Sequence, residues 1–289
     1  MTARSYLFVP GDRPDMLTKA GRRSADAVIA DLEDAVAPAG KAAARDTVSD
    51  WLDNLAEPGF EPWVRVNPTE DLLEDDLAAV FRAPLHGIMV PKVRSVDELL
   101  AIGDLLERLE SAAGRPPSDV KLLPIVETAD GLLAVDELAR APRVHQLMIG
   151  EFDLGAELGV DPTYEAAFVP LRMQLVVASA AAGIEPPLGP VSPDFQDLDL
   201  LRDETRRLVR LGFGSRPAIH PAQVPVFNEV MTPTPEETER AGRLVSLYEQ
   251  ALADGRGAIT DDAGHMVDEA TIKVARRVLE TARRAVRRR

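Results

Sequence analysis

The sequence reads LLPIVE over residues 122–127 and LMIGEFD over residues 147–153, two apolar runs that each close on an acid, Glu127 and Asp153. Short apolar runs bounded by polar residues are typical of buried strands. In a parallel barrel, the functional site is built at the carboxyl ends of the strands, where both acids fall. Two carboxylates with coordination positions left over suit a hard cation such as Mg²⁺, so the pair predicts a metal-dependent site.

Similar β-rich runs recur along the chain and are separated by longer amphipathic stretches. Leucines at helical spacing between residues 99 and 109 predict a helix there, and Gly212 is a helix stop signal. The predicted strands are 4–9, 27–32, 62–66, 87–92, 121–126, 145–150, 187–191 and 216–220. Strands that alternate with helices imply parallel pairing, and eight units in about 220 residues predict an α/β fold, a TIM (β/α)₈ barrel. An open doubly wound sheet is the alternative, which is weakened because no Gly-x-Gly-x-x-Gly follows the first strand.

Beyond the last predicted strand the pattern changes. Residues 228–235 hold two prolines and two threonines and are interpreted as a linker. Thr234 is expected to cap a helix, and a final helix is expected to begin near Asp268. We therefore divide the chain into a barrel over residues 1–227 and a C-terminal helical extension over residues 228–289. The extension is too small for an independent core and is expected to pack on the barrel or on a neighbouring subunit.

Composition narrows the class of protein. The 289 residues include no cysteine, which excludes a disulfide scaffold and a thiolate zinc site and permits a reducing, cytoplasmic location. The net charge is −15, and seven arginines lie in the last 14 residues, so the rest of the chain is more acidic still and should repel nucleic acid. The basic tail is expected to complement a helix C-terminus, with an anionic ligand or a neighbouring subunit as the alternative contact.

No membrane association is predicted. The apolar stretch at the start of the chain is interrupted by Pro10 and Gly11 and is too short for a signal peptide or a membrane span. No later segment is expected to reach membrane-spanning length.

Charged residues also follow the second, third and fourth predicted strands. Asp31, Glu33 and Asp34 cluster at one strand end, where they are interpreted as groups that hold metal-bound water or an arginine. The alternative is that Asp34 caps the next helix and Asp31 pairs in the core. Arg65 is expected to bind either a structural aspartate or the carboxylate of a substrate. Lys92 is interpreted as an ion-pair partner of these acids rather than as a Schiff-base lysine.

Taken in order, these segments resemble the citrate lyase β-subunit-like proteins of the HpcH/HpaI aldolase and citrate lyase family. Each segment alone is common, but the ordered set spans the chain. The matching segments are RSYLFVPG at 4–11, DLEDAV at 31–36 with Lys41 and Arg45 after it, VRVN at 64–67, VPKV at 90–93, IVETA at 125–129, GEFDL at 150–154, GFG at 212–214 and IHP at 219–221.

The resemblance implies a TIM barrel, usually a homotrimer, that cleaves or forms 3-hydroxyacyl thioesters with Mg²⁺. It implies that Glu127 and Asp153 bind the metal and that Arg65 holds the carboxylate of the 2-oxo acid. It also assigns residues to the coenzyme A thioester and to catalysis. These are Phe8 and Lys19 bordering coenzyme A, Ile219 and His220 at the acyl thioester, and Asp268 as an acid that the extension inserts into a neighbour's site. From the residues alone, Asp268 is interpreted as a helix N-cap. For His220, a structural role is as common as a catalytic one.

One position departs from the family pattern. The family usually has glutamate directly before the metal-binding aspartate, whereas this chain has Phe152 there and Glu151 one residue earlier. Because adjacent strand residues face opposite ways, Glu151 is not expected to replace the missing acid. The surroundings of Asp153, and with them the choice of substrate, are expected to differ.

The hypothesis is retro-aldol cleavage of a thioester such as malyl-CoA, citramalyl-CoA or citryl-CoA into a 2-oxo acid, for example oxaloacetate, and an acyl thioester. Its partners are small molecules, with coenzyme A as part of the substrate. Three alternatives remain open. They are the β subunit of a citrate lyase acting on a carrier-protein thioester, a malyl-CoA-type thioesterase, and a non-catalytic acyl-CoA-binding barrel.

Overall fold

The computed structural model describes residues 3–56, 58–82, 84–161, 163–261 and 264–287. Within these residues, seven parallel strands form one sheet in the order β6-β5-β4-β3-β2-β1-β7. The strands are β1 Ser5–Pro10, β2 Ala27–Asp31, β3 Glu61–Arg65, β4 Gly87–Val90, β5 Lys121–Val126, β6 Met148–Ile149 and β7 Arg216–Ala218. The α-helices among and after them are α1 Pro14–Ala20, α2 Lys41–Asp53, α3 Glu70–Val80, α4 Val96–Ala113, α5 Ala129–Leu133, α6 Val135–Arg140, α7 Glu151–Leu158, α8 Glu165–Ala182, α9 Leu198–Leu211 and α10 Gln223–Val230.

The sheet closes through Leu188, which forms parallel bridges to Met148 on one side and to Ser215 on the other. This segment takes the place of the eighth strand, so the predicted TIM-barrel fold is confirmed. The predicted strand 187–191 is wrong in extent, because only Leu188 pairs within it. Its neighbours Pro186, Pro187 and Pro190 have no backbone N–H to donate to a ladder.

Three other predictions need correction. The predicted strand 145–150 is reduced to β6 because helix α7 begins at Glu151. Helix α10 runs to Val230, so it occupies the first part of the predicted linker 228–235. Helix α8, contrary to expectation, has the length and hydropathy of a membrane span, with a mean hydropathy of 1.2 over 18 residues. Such a helix is weak evidence of a span, because a barrel helix that packs one apolar face on the core has the same composition.

Side chains inside the barrel fill its amino-terminal end. Tyr6 and Trp63 are fully buried and meet edge to face, with ring centroids 6.0 Å apart. Gly87 on the neighbouring strand leaves room for the indole, since a Cβ there would collide with the Trp63 ring. Because large side chains fill this end of the barrel interior, its open space lies towards the carboxyl ends of the strands.

The contacts between residues divide the chain into two compact units, one up to Met231 and one from Thr232. The smaller unit holds α11 Pro235–Ala253, a hairpin of β8 Ile259–Thr260 and β9 Met266–Val267, and α12 Glu269–Arg287. Thr234 and Glu237 form the capping box that begins α11, as the sequence predicts for Thr234. The role of residues 1–227 as the catalytic domain, and the packing of the extension, stay predictions.

Candidate active site

A cavity of about 400 Å³ opens at the carboxyl ends of the strands. Of the residues proposed from the sequence, Phe8, Arg65, Glu127, Asp153 and Ile219 line it together. The other lining residues are Pro10, Asp31, Asp34, Ala35, Ile125, Met148, Gly150, Glu151, Phe152 and Val191. The lining therefore combines carboxylates with apolar side chains.

Glu127 follows β5 directly and is only 5% exposed. Its Oε1 accepts a hydrogen bond of 2.7 Å from the backbone N–H of Lys92. Lys92 adopts a left-handed backbone conformation with φ of 56°, which is uncommon for a residue other than glycine and is found at functional sites. This turn directs the N–H of Lys92 towards the carboxylate, a role of Lys92 that the sequence did not indicate.

The pKa of Glu127 is raised to about 7. Burial is the main cause, and the nearby Asp153 and Glu33 carboxylates raise it further, whereas the Lys92 N–H and Arg65 oppose the shift. The carboxylate therefore lacks sufficient positive charge around it at neutral pH.

Gly150 lies against Glu127. A Cβ built at Gly150 would come within 2.5 Å of both Cβ and Oε2 of Glu127, so any larger residue would displace the carboxylate. The absence of a side chain at this position is thus what allows Glu127 to reach the cavity.

Asp153 lies in the first turn of α7, so the prediction that it ends a strand is wrong. The apolar run before it ends early because Gly150 begins the helix as its N-cap residue. The Asp153 side chain is exposed to the cavity, and no described residue forms a hydrogen bond or ion pair with it. A carboxylate without a protein partner, beside a second one whose pKa is raised, is available to a cation.

Arg65 is held by the acids that follow β2. Its Nε and Nη2 donate to the two carboxylate oxygens of Asp31 at 2.7 and 2.5 Å, and its Nη1 lies 2.9 Å from Glu33 Oε2. The ring of Phe8 lies under the guanidinium, 5.1 Å from its centroid. The prediction that these acids hold the arginine is confirmed. Its Nε and Nη2 each donate one hydrogen bond, so three of its five N–H donors, both on Nη1 and one on Nη2, form no hydrogen bond with the described residues.

Lys92 completes this network, as its ion-pair interpretation predicts. Its Nζ contacts the carboxylate of Glu33 and lies 3.4 Å from Asp34 Oδ1. Asp34 is not a helix cap, because α2 begins at Lys41 and its N-cap residue is Gly40, which provides no side-chain cap.

Glu151 is not free to replace the missing acid, but the reason is not the alternation of strand residues. Glu151 is not on a strand; it binds Arg172 of α8 through both carboxylate oxygens, at 2.6 and 2.9 Å. Phe152, the next residue, lines the cavity and is 48% exposed.

The remaining predicted residues lie outside the lining of the cavity. His220 is exposed and stacks on Phe195 with ring centroids 4.6 Å apart. Lys19 on α1 is exposed and lies 3.9 Å from Asp15. In the smaller unit, Asp268 accepts a hydrogen bond of 3.1 Å from the backbone N–H of Thr271 and thereby caps α12. The roles of these three residues stay predictions.

The residues present fit a magnesium ion. Mg²⁺ is commonly bound through one or two carboxylates, with its other positions taken by water or substrate, and Glu127 and Asp153 provide such a pair. Burial raises the pKa of Glu127, and the nearby Asp153 and Glu33 carboxylates add to the shift, so a bound cation would favour the ionised form. The described part of the chain has no group of three or more metal-binding side chains, which suits a substrate-completed site better than a closed structural one.

A closed parallel barrel with carboxylates and one arginine at the carboxyl ends of its strands is the architecture of a metal-assisted enzyme site. The sequence profile of the HpcH/HpaI aldolase/citrate lyase family matches residues 4–221, and the chain belongs to this family.

Three similar proteins illustrate the family. A (3S)-malyl-CoA thioesterase of Cereibacter sphaeroides is 34% identical, over 88% of this chain and 86% of the relative. An L-malyl-CoA/beta-methylmalyl-CoA lyase of the same organism is 33% identical, over 88% of this chain and 87% of the relative. The crystal structure of CitE from Mycobacterium tuberculosis in complex with magnesium, acetoacetate and coenzyme A superposes with a TM-score of 0.78. It is 31% identical and covers 96% of this chain and 97% of that one.

Proposed function

We propose that this protein is a magnesium-dependent carbon–carbon lyase that cleaves, or in reverse forms, a 3-hydroxyacyl-CoA thioester. In cleavage, the bond between the hydroxyl-bearing carbon and the α-carbon of the thioester breaks. The hydroxyl proton is lost and the α-carbon gains one, so the products are a 2-oxo acid and an acyl-CoA. The observation that carries the proposal is that Glu127, Asp153 and Arg65 line one cavity. The lyase relative and the magnesium and coenzyme A in the CitE structure support it.

The residues of the cavity have separate roles in the proposed reaction. Glu127 and Asp153 would hold the ion, which when bound supplies Lewis-acid polarisation of the substrate oxygen. Arg65 binds the substrate carboxylate through N–H donors that Asp31 does not use, and its position is set by Asp31 and Glu33. Because Arg65 is rigidly held, the carboxylate is oriented before reaction.

The test is an assay of malyl-CoA, citramalyl-CoA and citryl-CoA with and without EDTA. We expect one 2-oxo acid to appear for each acyl-CoA, loss of turnover with EDTA, and recovery on adding Mg²⁺. Turnover that continues in EDTA would contradict the proposal. A thioesterase is the second candidate, which the 34% identical relative favours. It would release free coenzyme A and a hydroxy acid in place of the 2-oxo acid.

Asp268 is the predicted proton-transfer residue. Its pKa lies below the ordinary value because the Thr271 backbone N–H donates to it, so the side chain is ionised at neutral pH. We expect Asp268→Asn to lower condensation turnover at least about 100-fold, since general-base catalysis contributes that much. Asparagine caps helices as well as aspartate does, so the variant should fold, with a small loss of stability because it lacks the charge that the Thr271 N–H stabilises.

The control for that variant is binding. Calorimetric titration of the magnesium-loaded variant with a 2-oxo acid should give the affinity of the unchanged protein. Full turnover by Asp268→Asn would remove the residue from the mechanism. The homotrimeric assembly and the cytoplasmic location stay predictions, supported by the resemblance and by the cysteine-free, acidic composition.

A further inference from the structure

The cations around the cavity are already committed to protein carboxylates. Among the described lining residues, Arg65 is the only basic side chain, against Asp31, Asp34, Glu127, Glu151 and Asp153. Two bases lie just behind this lining. Lys92 binds Glu33 and lies near Asp34, and Arg172 binds Glu151.

This charge arrangement limits the number of substrate carboxylates that the site can pair. Arg65 donates two hydrogen bonds to Asp31 and its Nη1 lies against Glu33, so its remaining N–H donors are enough for one carboxylate. The proposed ion would be balanced by the charges of Glu127 and Asp153, so a second carboxylate would find no further positive partner among the described lining residues. Burying an unpaired charge is costly, so dicarboxylates are disfavoured.

Apolar side chains supply another part of the cavity lining, called the apolar wall. It is formed by the side chains of Phe8, Ile125, Met148, Phe152, Val191 and Ile219. Phe152 is next to Asp153 in the first turn of α7 and keeps 48% of its surface exposed. Because Phe152 and Asp153 are neighbours that both line the cavity, we expect the ring to border the substituent of a 2-oxo acid held at the proposed ion. Covering such a ring with an alkyl group removes apolar surface from water and is favourable.

We propose that Phe152 makes this site selective for 2-oxo acids that carry a single carboxylate and an apolar substituent, in preference to dicarboxylates such as oxaloacetate. This inference rests on the proposed function and names the substrate class of the same site. Glu151 does not offset the selection, because its carboxylate is turned to Arg172 and is held there by two hydrogen bonds.

The experiment measures magnesium-dependent condensation of acetyl-CoA with glyoxylate, 2-oxobutyrate and oxaloacetate. These acids carry hydrogen, ethyl and carboxymethyl substituents, respectively. We expect kcat/KM for 2-oxobutyrate to exceed that for oxaloacetate at least 10-fold. Phe152→Ala should lower kcat/KM for 2-oxobutyrate about 10-fold, the range for lost apolar contacts. Glyoxylate should be unaffected because it has no substituent to touch the ring.

A second variant tests the charge argument. Phe152→Lys places a cation beside the apolar wall, so the ratio of kcat/KM for oxaloacetate to that for 2-oxobutyrate should rise at least 10-fold. Leu133→Ala is the control, because Leu133 is 87% exposed on α5 and does not line the cavity. It should leave all three rates unchanged.

Direct binding separates this inference from the proposed function. Calorimetric titration of the magnesium-loaded protein with 2-oxobutyrate and with oxaloacetate needs no turnover. If no acid is condensed but 2-oxobutyrate binds at least 10-fold tighter, the lyase proposal fails and the selectivity stands. Equal or tighter binding of oxaloacetate, binding of neither acid, or equal effects of Phe152→Ala on all three acids would overturn the inference.

Discussion

Replacing Glu127 with glutamine is expected to abolish turnover and at the same time to stabilise the metal-free protein above pH 7. Glutamine keeps the oxygen that accepts from the Lys92 N–H but cannot bind a cation as a carboxylate does. We expect turnover to fall at least about 100-fold, the loss that even indirect partners of a metal site can cause.

The gain in stability follows from the pKa of Glu127. Burial raises it from 4.5 in the unfolded chain to about 7 in the folded one. Between these values the folded state binds more protons than the unfolded state, so stability falls as the pH rises through this window. Above pH 7 the full difference, on the order of 3 kcal/mol, destabilises the metal-free protein. Glu127→Gln removes that penalty.

The measurement is urea unfolding in EDTA at pH 5 and at pH 8. We expect the variant to exceed the unchanged protein in unfolding free energy at pH 8 and to differ little at pH 5. Asp130→Asn is the matched control, because Asp130 is exposed on the next helix and meets only Arg94 at 3.6 Å among the described ion pairs. An equal stability difference at both pH values would contradict the assignment of the raised pKa to Glu127.

Replacing Arg65 with methionine is expected to lower both stability and activity. Asp31 and Glu33 are 2% and 4% exposed, and each would lose a charged partner. Breaking a buried ion pair by removing one member costs about 3–5 kcal/mol. Activity should fall too, because the substrate carboxylate loses its only basic partner among the described lining residues.

A double variant separates the two effects. Arg65→Met combined with Asp31→Asn removes the unpaired charge, so unfolding free energy should recover by at least about 1 kcal/mol while turnover stays low. Arg94→Met is the control, since Arg94 is exposed and its loss should change stability by less than about 1 kcal/mol. If turnover returned with stability in the double variant, Arg65 would have only a structural role.

Several features of the site follow from local pattern. Glu127 and Arg65 were placed at strand ends because apolar runs and alternation report strands, and parallel strands bring their carboxyl ends to one face. The predicted strand 187–191 is too long. Its apolar residues suggest a strand, but each proline within it lacks the backbone N–H that a ladder needs. Asp153 is predicted at a strand end, whereas it lies in a helix, because β6 and α7 are separated by one glycine, which periodicity does not resolve.

The partners of these residues depend on distances that no local pattern reports. Glu151 binds Arg172, 21 residues away, and Lys92 directs its N–H at Glu127, 35 residues away. The left-handed turn at Lys92 had no glycine or asparagine to mark it. The sequence showed Phe152 as a departure from the family pattern, but its exposure to the cavity came only from the folded chain.

The order of strands and helices, and the positions where acids and Arg65 reach the mouth of the barrel, are determined by the sequence itself. Hydrophobic periodicity acts over a few consecutive residues, and closure of the barrel then brings the strand ends together. Three features of the site depend on the tertiary structure alone. They are the raised pKa of Glu127, the pairing of Arg65 with Asp31 and Glu33, and the apolar wall that includes Phe152. Burial and electrostatic interaction are sums over neighbours from distant segments, and those neighbours exist only once the chain has folded.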